Sequence, residues 1–456
     1  MNKVVNSIEA KDLANHFHPY TNPQILKESG PHVICKGEGI YVYDNTGAKF
    51  IEGMSGLWCA SLGFDNKELI EAAIKQMEKL PFYHSFAGKV PEVAANLSEK
   101  LIKIAPDGLD KAFFCNSGSE ANDTAIKVVW YYQNALGRPE KRKIISRKRG
   151  YHGVTMVAGS LTGLPYAQDG FGLPLDFIRH TSSPHYFADK YENEDEEMFV
   201  DRLLEELNDL IIEEGADTIG AFIAEPVMGA GGVIIPPRDY FKKVQVLLKK
   251  HDILFIVDEV ICGFGRTGNM WGSETFDLKP DILTCAKALS GAYAPISALL
   301  MNENIISEIE KQASGLGVFG HGFTYSAHPL SAAVALRTLE VYEEKNILDH
   351  VNEVKDSFIE RVKDMKKYSF VGDARALGLI GAIEFVSEPD TNKKPDPSRK
   401  VAAKIQQKIQ ESGVILRALP GDSLGFCPPL IIEKRQIHEM FDKIDSVLSR
   451  IEFQNL

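Results

Sequence analysis

Residues 218–260 read TIGAFIAEPVMGAGGVIIPPRDYFKKVQVLLKKHDILFIVDEV, and this stretch sets the fold class. The run 218–224 (TIGAFIA) is apolar without alternation, the pattern of a strand covered on both faces. Residues 239–250 place apolar side chains at helical spacing, and 253–257 (ILFIV) is a second buried strand ending on two acids, Asp258 and Glu259. A strand, a crossover helix and a strand within about 30 residues make a parallel pair. The alternation continues on both sides. Strands are predicted at 112–115 (AFFC), 143–146 (KIIS), 282–286 (ILTCA) and 296–301 (ISALLM), with a helix over 119–136. An α/β unit with a large mixed, mostly parallel sheet is therefore expected over residues 66–340. Past residue 346 the character changes. Amphipathic helices at 348–365 and 397–412 flank a strand-like 381–386, which predicts a smaller α+β domain over 341–456. Residues 1–65, with a hairpin of 40–43 and 49–52, are expected to join that second lobe. The acidic run 192–197 reads as a solvated loop or first helical turn. Residues 388–398 (EPDTNKKPDPS), with no apolar side chain, read as an exposed loop.

The 456 residues suffice to bury a core without disulfides or metals. At 44% hydrophobic and 25% charged, with 37 Gly and 22 Pro, the composition excludes disordered and collagen-like classes. Fifty-one basic against 63 acidic residues leave a net charge of −12, which argues against nucleic acid or an anionic membrane as a partner. Six scattered cysteines, without a CxxC pair, read as reduced thiols in a cytoplasmic protein. No apolar leader segment and no 18-residue apolar run is present, which supports the same expectation.

Several segments carry chemistry. Residues 263–268 (GFGRTG) fit GxGxxG, but the polar, glycine-interrupted 272–281 that follows makes a poor βαβ helix, so a dinucleotide site is not expected. Gly229–Gly232 lacks a phosphate-loop lysine. The loop 116–121 (NSGSEA) links a buried strand to a helix. Its Ser117, Gly118 and Ser119 can offer N–H groups and hydroxyls to a phosphate at the helix N-terminus, or simply cap the helix. Asp258 ends a parallel strand, where α/β sheets hold ligands; a solvated acid is the alternative. Lys287 lies in AKALSG, bracketed by small and apolar residues, and is either a desolvated amine nucleophile or a snorkelling lysine. Tyr151, ahead of His152 and Gly153, offers an aromatic face to a flat ligand or to the core. His152, His84, His321 and His328 lack metal-ligand spacing, and no metal is expected. Taken together, a phosphate cradle, an aromatic platform, a carboxylate and a buried amine are what pyridoxal 5'-phosphate requires.

In this order the segments resemble the class III (ω-type) aminotransferases of the fold-type I pyridoxal-phosphate enzymes. The resemblance runs from 37–44 (GEGIYVYD) to 427–430 (CPPL), through NSGSEAND at 116–123, YHGVT at 151–155, AEPVMGAGG at 224–232, DEVICGFGRTG at 258–268, Lys287 and HGFTYSAHP at 321–329. It is nearest the amine:pyruvate or β-alanine:pyruvate branch. The resemblance implies that Ser117, Gly118 and Ser119 hold the cofactor phosphate, with His152 beside the cofactor. Tyr151 would stack on the ring with Val260 against its other face. Asp258 would pair with the ring nitrogen, Glu225 would orient the network, and Lys287 would supply the Schiff-base amine. Thr324 would reach the phosphate of a partner subunit, which implies a homodimer with shared sites, or a tetramer of such pairs. Tyr20, Trp58, Phe86 and Tyr151 would shape the substrate pocket, with Arg417 as a carboxylate clamp.

The implied reaction moves an amino group from a primary amine or ω-amino acid to a keto acid by a ping-pong course. In the 4-aminobutyrate and ornithine branches an arginine commonly follows the YHG-like triplet; here the residue is Val154. That departure favours pyruvate over 2-oxoglutarate as acceptor, with Arg417 taking its carboxylate. Taurine, diaminopelargonate and decarboxylating dialkylglycine-type activities use the same cofactor residues and stay open at this stage.

Overall fold

The structure, a computed structural model, describes residues 6–453, so the outermost residues of both expected terminal segments lie outside it. A seven-stranded sheet runs in the order Lys111–Cys115, Ser297–Met301, Ile282–Cys285, Leu254–Asp258, Ile219–Ala224, Lys143–Arg147, Ile178–Thr181. The last five strands are mutually parallel, and Ser297–Met301 is antiparallel to both its neighbours. The sheet is the mixed, mostly parallel one expected of a class III aminotransferase fold.

Its central strands are apolar on both faces because both are covered. Phe222, Ala224, Phe255 and Val257 pack with Phe199, Leu207, Phe241 and Leu248 from the helices Glu196–Glu214 and Tyr240–Lys250. Ala221, Ile223 and Ile256 face the other way, onto Ala125, Val129 and Ile305 from the helices Gly118–Ala135 and Glu303–Leu316. The period-2 switch of faces fixes the register, since a one-residue slip would exchange the two cores.

Two four-stranded sheets complete the fold. The N-terminal hairpin Tyr41–Asp44/Lys49–Glu52 extends to Ile34–Glu38 on one side and, on the other, pairs in parallel with Val414–Ile415. Val371–Leu377, Ile380–Phe385, Ser423–Phe426 and Arg417–Leu419 form an antiparallel sheet.

Several elements depart from expectation, and the helices Lys67–Lys79, Glu92–Ile104, Glu303–Leu316 and Pro329–Glu344 are among those not predicted. Residues 397–412 are not one helix: Lys400 takes a φ of 50° and separates a 3₁₀ turn, Pro397–Arg399, from the helix Val401–Glu411. Thr218 closes a 3₁₀ turn, and its strand starts at Ile219. The strand Ile178–Thr181 (IRHT) and the helix Lys434–Leu448 are additional to those predicted. The glycines of GFGRTG open no helix; Arg266 instead donates to the carbonyls of Leu379 and Pro428 at 2.9 and 2.7 Å. All six cysteines are free, with Cys35 exposed and Cys59 half-buried. Among the described residues no helix is long and apolar enough to cross a membrane.

Candidate active site

The C-terminal ends of adjacent strands open into a cavity of about 130 Å³ lined by Gly118, Ser119, Asn122, Tyr151, Glu225, Asp258, Val260 and Lys287, among others. Asp258 ends its strand paired with Thr284, so the segment that leads to Lys287 runs beside it. Its carboxylate is held from several directions. Oδ2 accepts from Asn122 Nδ2 at 2.8 Å and lies 2.8 Å from His152 Nδ1, while Oδ1 accepts from the Val260 amide at 3.0 Å. Asn122 is locked in turn: its Nδ2 also donates to the His152 carbonyl, and its Oδ1 accepts from Thr284 Oγ1 at 2.8 Å. The shell thus fixes the acid's orientation while leaving it at the cavity wall.

Lys287 starts a short turn with a φ of 52°, which aims its side chain back toward the strand ends. Its amine makes no hydrogen bond or ion pair among the described residues. Burial holds its pKa below the ordinary lysine value, against the opposing pull of the Asp258 carboxylate. Glu225 is fully enclosed and its pKa is raised by that burial; it accepts from the Tyr151 amide at 3.0 Å and from the Gly229 amide at 3.1 Å. It therefore ties the Tyr151 loop to the glycine-rich 229–232 segment, a positioning role. Glu259, adjacent to Asp258, faces away. Burial pushes it up to about 7, and it accepts from the Gly272 and Ser273 amides and Ser273 Oγ.

On the phosphate side, Ser117 caps the helix Gly118–Ala135 by accepting from the Glu120 amide at 3.2 Å, and it does not line the cavity. Gly118 and Ser119 do. Ser119 Oγ accepts from the Val154 amide at 3.1 Å. Gly153, with a φ of 132°, must remain glycine here: a Cβ would fall 2.4 Å from Ser119 Oγ. A Cβ on Gly118 would come within 3.1 Å of both Val260 methyls, so glycine there lets the loop pack closely against Val260.

Beyond the strand ends sits a cluster of phenols. Tyr20 meets Tyr151 and Tyr166 edge-on, at centroid distances of 6.4 and 6.2 Å. Burial raises the pKa of all three, while the Arg417 charge pulls each back. Arg417 thus stands close to the cluster, and its guanidinium has no carboxylate partner among the described residues. Trp58 is 4% exposed and packs in one cluster with Ile261, itself part of the cavity wall.

Of the predicted residues, Ser117, Tyr20, Trp58, Phe86, Thr324 and Arg417 do not line this cavity in the single chain, and Phe86 and Thr324 stand apart from it. Thr324 is exposed, and Phe86 lies in a separate hollow beside His321 and Gly322, where its ring faces Gly322. Four residues that bear on the site were absent from the sequence reading. Asn122 carried a signal, as a polar side chain on the buried face of its helix. Tyr166 and Thr284 carried none. Arg147, fully buried and donating to the Glu225 carbonyl at 2.6 Å, was concealed in a polar run.

The donor set fits pyridoxal phosphate. An unpartnered amine, an oriented carboxylate, bare N–H groups at an 18-residue helix's N-terminus and an aromatic face share one cavity. Comparison with known proteins agrees. The class-III aminotransferase profile matches residues 26–448. The chain is 45% identical over 453 residues to the chloroplastic gamma aminobutyrate transaminase 3 of Solanum lycopersicum, covering 98% of this chain and 87% of that one. The ω-transaminase of Pseudomonas jessenii in complex with PMP superposes with a TM-score of 0.95 at 46% identity, covering 97% of this chain and 98% of the other. A thermostable ω-transaminase variant, W58M/F86L/R417L, engineered for synthesis of bulky amines, has a TM-score of 0.96 at 45% identity, with 98% and 99% covered. On the whole-chain profile match, the relatives' identity and the arrangement around Lys287, this chain belongs to the class III aminotransferases and is a pyridoxal-phosphate-dependent transaminase.

Proposed function

We propose that the enzyme takes an amino group from a primary amine or ω-amino acid, 4-aminobutyrate among them, and delivers it to pyruvate. The observation that carries the acceptor assignment is Arg417, a cation without a carboxylate partner, set against the phenols of Tyr20, Tyr151 and Tyr166. One arginine at that place suits a mono-carboxylate. Val154, 59% exposed and apolar, adds no second cation for the further carboxylate of 2-oxoglutarate. The tomato relative's name gives 4-aminobutyrate as its substrate, which supports an ω-amino acid donor here.

When bound, the cofactor supplies an electron sink for the carbanion left on the substrate carbon. The chain's own residues do the rest. Gly118 and Ser119 would offer donors to the phosphate, and Tyr151 and Val260 would hold the ring. Asp258, oriented by Asn122 and His152, would pair with the ring nitrogen and favour its protonated form. Lys287, its pKa lowered by burial and its amine at the cavity wall, would take a proton from one carbon and return it to another. Tyr20 and Trp58 bound the donor side, and burial of Trp58 keeps water from it.

Thr324 and Phe86 enter this reading from a partner subunit, since the chain itself holds them apart from the cavity. The substitutions of the engineered neighbour carry the numbers 58, 86 and 417, at which this chain has Trp58, Phe86 and Arg417. We assign the cofactor to a large domain of residues 66–340, closed by a lobe from 1–65 and 341–456, in a cytoplasmic homodimer. The test is a donor panel of 4-aminobutyrate, β-alanine and simple amines against pyruvate and 2-oxoglutarate. Preference for pyruvate is expected, and higher kcat/KM with 2-oxoglutarate overturns the acceptor assignment.

A further inference from the structure

The N-terminal helix Ile8–Asn15 buries none of its residues, and at eight residues it is too short to be stable by itself. At its C-terminal end, three side chains converge. His16 Nδ1 lies 3.0 Å from Asp12 Oδ1, and His18 Nε2 lies 2.6 Å from Asp12 Oδ2. The two imidazoles stand 4.4 Å apart, and one ligand atom from each of the three residues falls within 4.8 Å of the others.

Asp12 and His18 are 19% and 23% exposed, whereas His16 is 60% exposed, so the group has a sheltered side and an open side. Both imidazoles, but not Asp12, line a cavity of about 140 Å³ whose wall includes Leu13, Thr21, Leu26 and Lys27.

Two imidazole nitrogens and one carboxylate, with a fourth position open to water, form a donor set that late first-row divalent cations accept. Metal–ligand bonds near 2.1 Å at a tetrahedral angle need ligand atoms about 3.4 Å apart. The two contacts would have to widen by less than ~1 Å, which side chains at a helix end can do. A second group, of one imidazole and two carboxylates, His185, Asp373 and Glu384, makes the contrast clear. There Arg375 lies 2.7 Å from Glu384 and Lys394 pairs with the same carboxylate, so the protein's own cations fill the place of a metal. Among the described residues, Lys27 is the one lysine or arginine in the wall of the cavity that His16 and His18 line.

We propose that Asp12, His16 and His18 bind a divalent cation of the zinc class, which staples the end of the first helix to the chain leading into Tyr20.

The test is equilibrium dialysis of the untagged holoenzyme against Zn²⁺ in phosphate-free buffer, with amide hydrogen exchange of residues 8–20 as a second readout. Wild type is expected to take up one equivalent per chain that His16→Gln and His18→Gln each weaken by at least about tenfold. Zn²⁺ should slow exchange of the segment in wild type and not in the double variant. His16 is exposed and His18 is half-buried, and neither belongs to a hydrophobic core cluster, so neither variant endangers the fold. Absence of a stoichiometric equivalent, equal uptake by the double variant, or unchanged exchange on Zn²⁺ addition would each overturn the site.

Discussion

Glu52 ends the strand Lys49–Glu52 with its carboxyl 3% exposed and no cation against it among the described residues. It accepts from the Met54 amide at 3.1 Å and from the Gly56 amide, and so caps a turn in which Ser55, Gly56 and Trp58 all have positive φ. Burial pushes its pKa from the usual 4.5 up to about 8. The native state therefore holds the Glu52 proton more tightly than the unfolded chain does. Such a group costs stability as pH rises from 4.5 toward 8, and above that the cost levels off. Between pH 6 and 8 the loss amounts to about 2 kcal/mol, at ~1.4 kcal/mol per pH unit. Glu52→Gln keeps an acceptor for the turn and removes the titration. For a chain of this length 1 kcal/mol moves Tm by roughly 1 °C. The difference in Tm between variant and wild type should therefore move in the variant's favour by about 2 °C from pH 6 to pH 8, even if the substitution lowers both values. Differential scanning fluorimetry of the two holoenzymes in parallel reads this, and the pH dependence of cofactor binding cancels in the difference. A pH-independent gap, or one that moves against the variant at high pH, would refute a protonated Glu52.

Other expectations concern the site itself. Lys287→Ala should abolish the visible absorbance band of the cofactor-loaded protein and lower turnover by about 10⁴-fold or more; retention of both would mean another nucleophile. Arg417→Leu should raise the pyruvate KM by roughly 10–100-fold, the loss of one charge-assisted hydrogen-bonded contact, with a far smaller effect on the KM of an amine lacking a carboxylate. Equal effects on both substrates would remove Arg417 from the clamp role. Asn122→Ala strands Asp258, the His152 carbonyl and Thr284 Oγ1 without their shared partner. It should cost about 1–3 kcal/mol of stability in thermal unfolding and loosen cofactor retention in dialysis, whereas a neutral outcome on both would show that His152 alone orients the acid.

The central strands were legible because burial on both faces leaves an unbroken apolar run, as in IGAFIA and LFIVD. Edge strands lack that signal. Ile178–Thr181 pairs on one side only, and its Arg179 and His180 are half-buried polar residues, so its four residues give neither a run nor a clean alternation. The helix Lys434–Leu448 is a different kind of miss. Ile437, Met440, Phe441, Ile444 and Leu448 follow a helical period that is present in the sequence, and the expectation of two helices in that region overlooks it. The break at Lys400 was not legible. Its left-handed backbone lies in a lysine, a residue that carries no turn signal, and tertiary contacts on either side impose it.

The site divides along the same line. Lys287, Asp258, Glu225 and the loop 116–119 could be named because each follows an apolar strand, and strand ends in an α/β sheet share one rim. What holds Asp258 in place has no local signature. Asn122 lies 136 positions away and His152 106 positions away, and only the order of the strands brings them together. Trp58 is a further step removed, since its backbone departs from every regular conformation and depends on a buried carboxyl to stay there. Phe86 lies apart from the Lys287 cavity in the single chain, which is why the proposed reading brings it from a partner subunit. Phe82, Tyr83, Phe86, Val318 and Tyr325 are all 40% or more exposed and gather in two neighbouring loops, one of which also carries Thr324. Apolar periodicity tells which face of an element is covered, but not by which molecule. A surface this aromatic beside Thr324 is what a site completed by a second subunit requires, and a monomeric variant should keep the Lys287 cavity yet lose the wall that Phe86 provides.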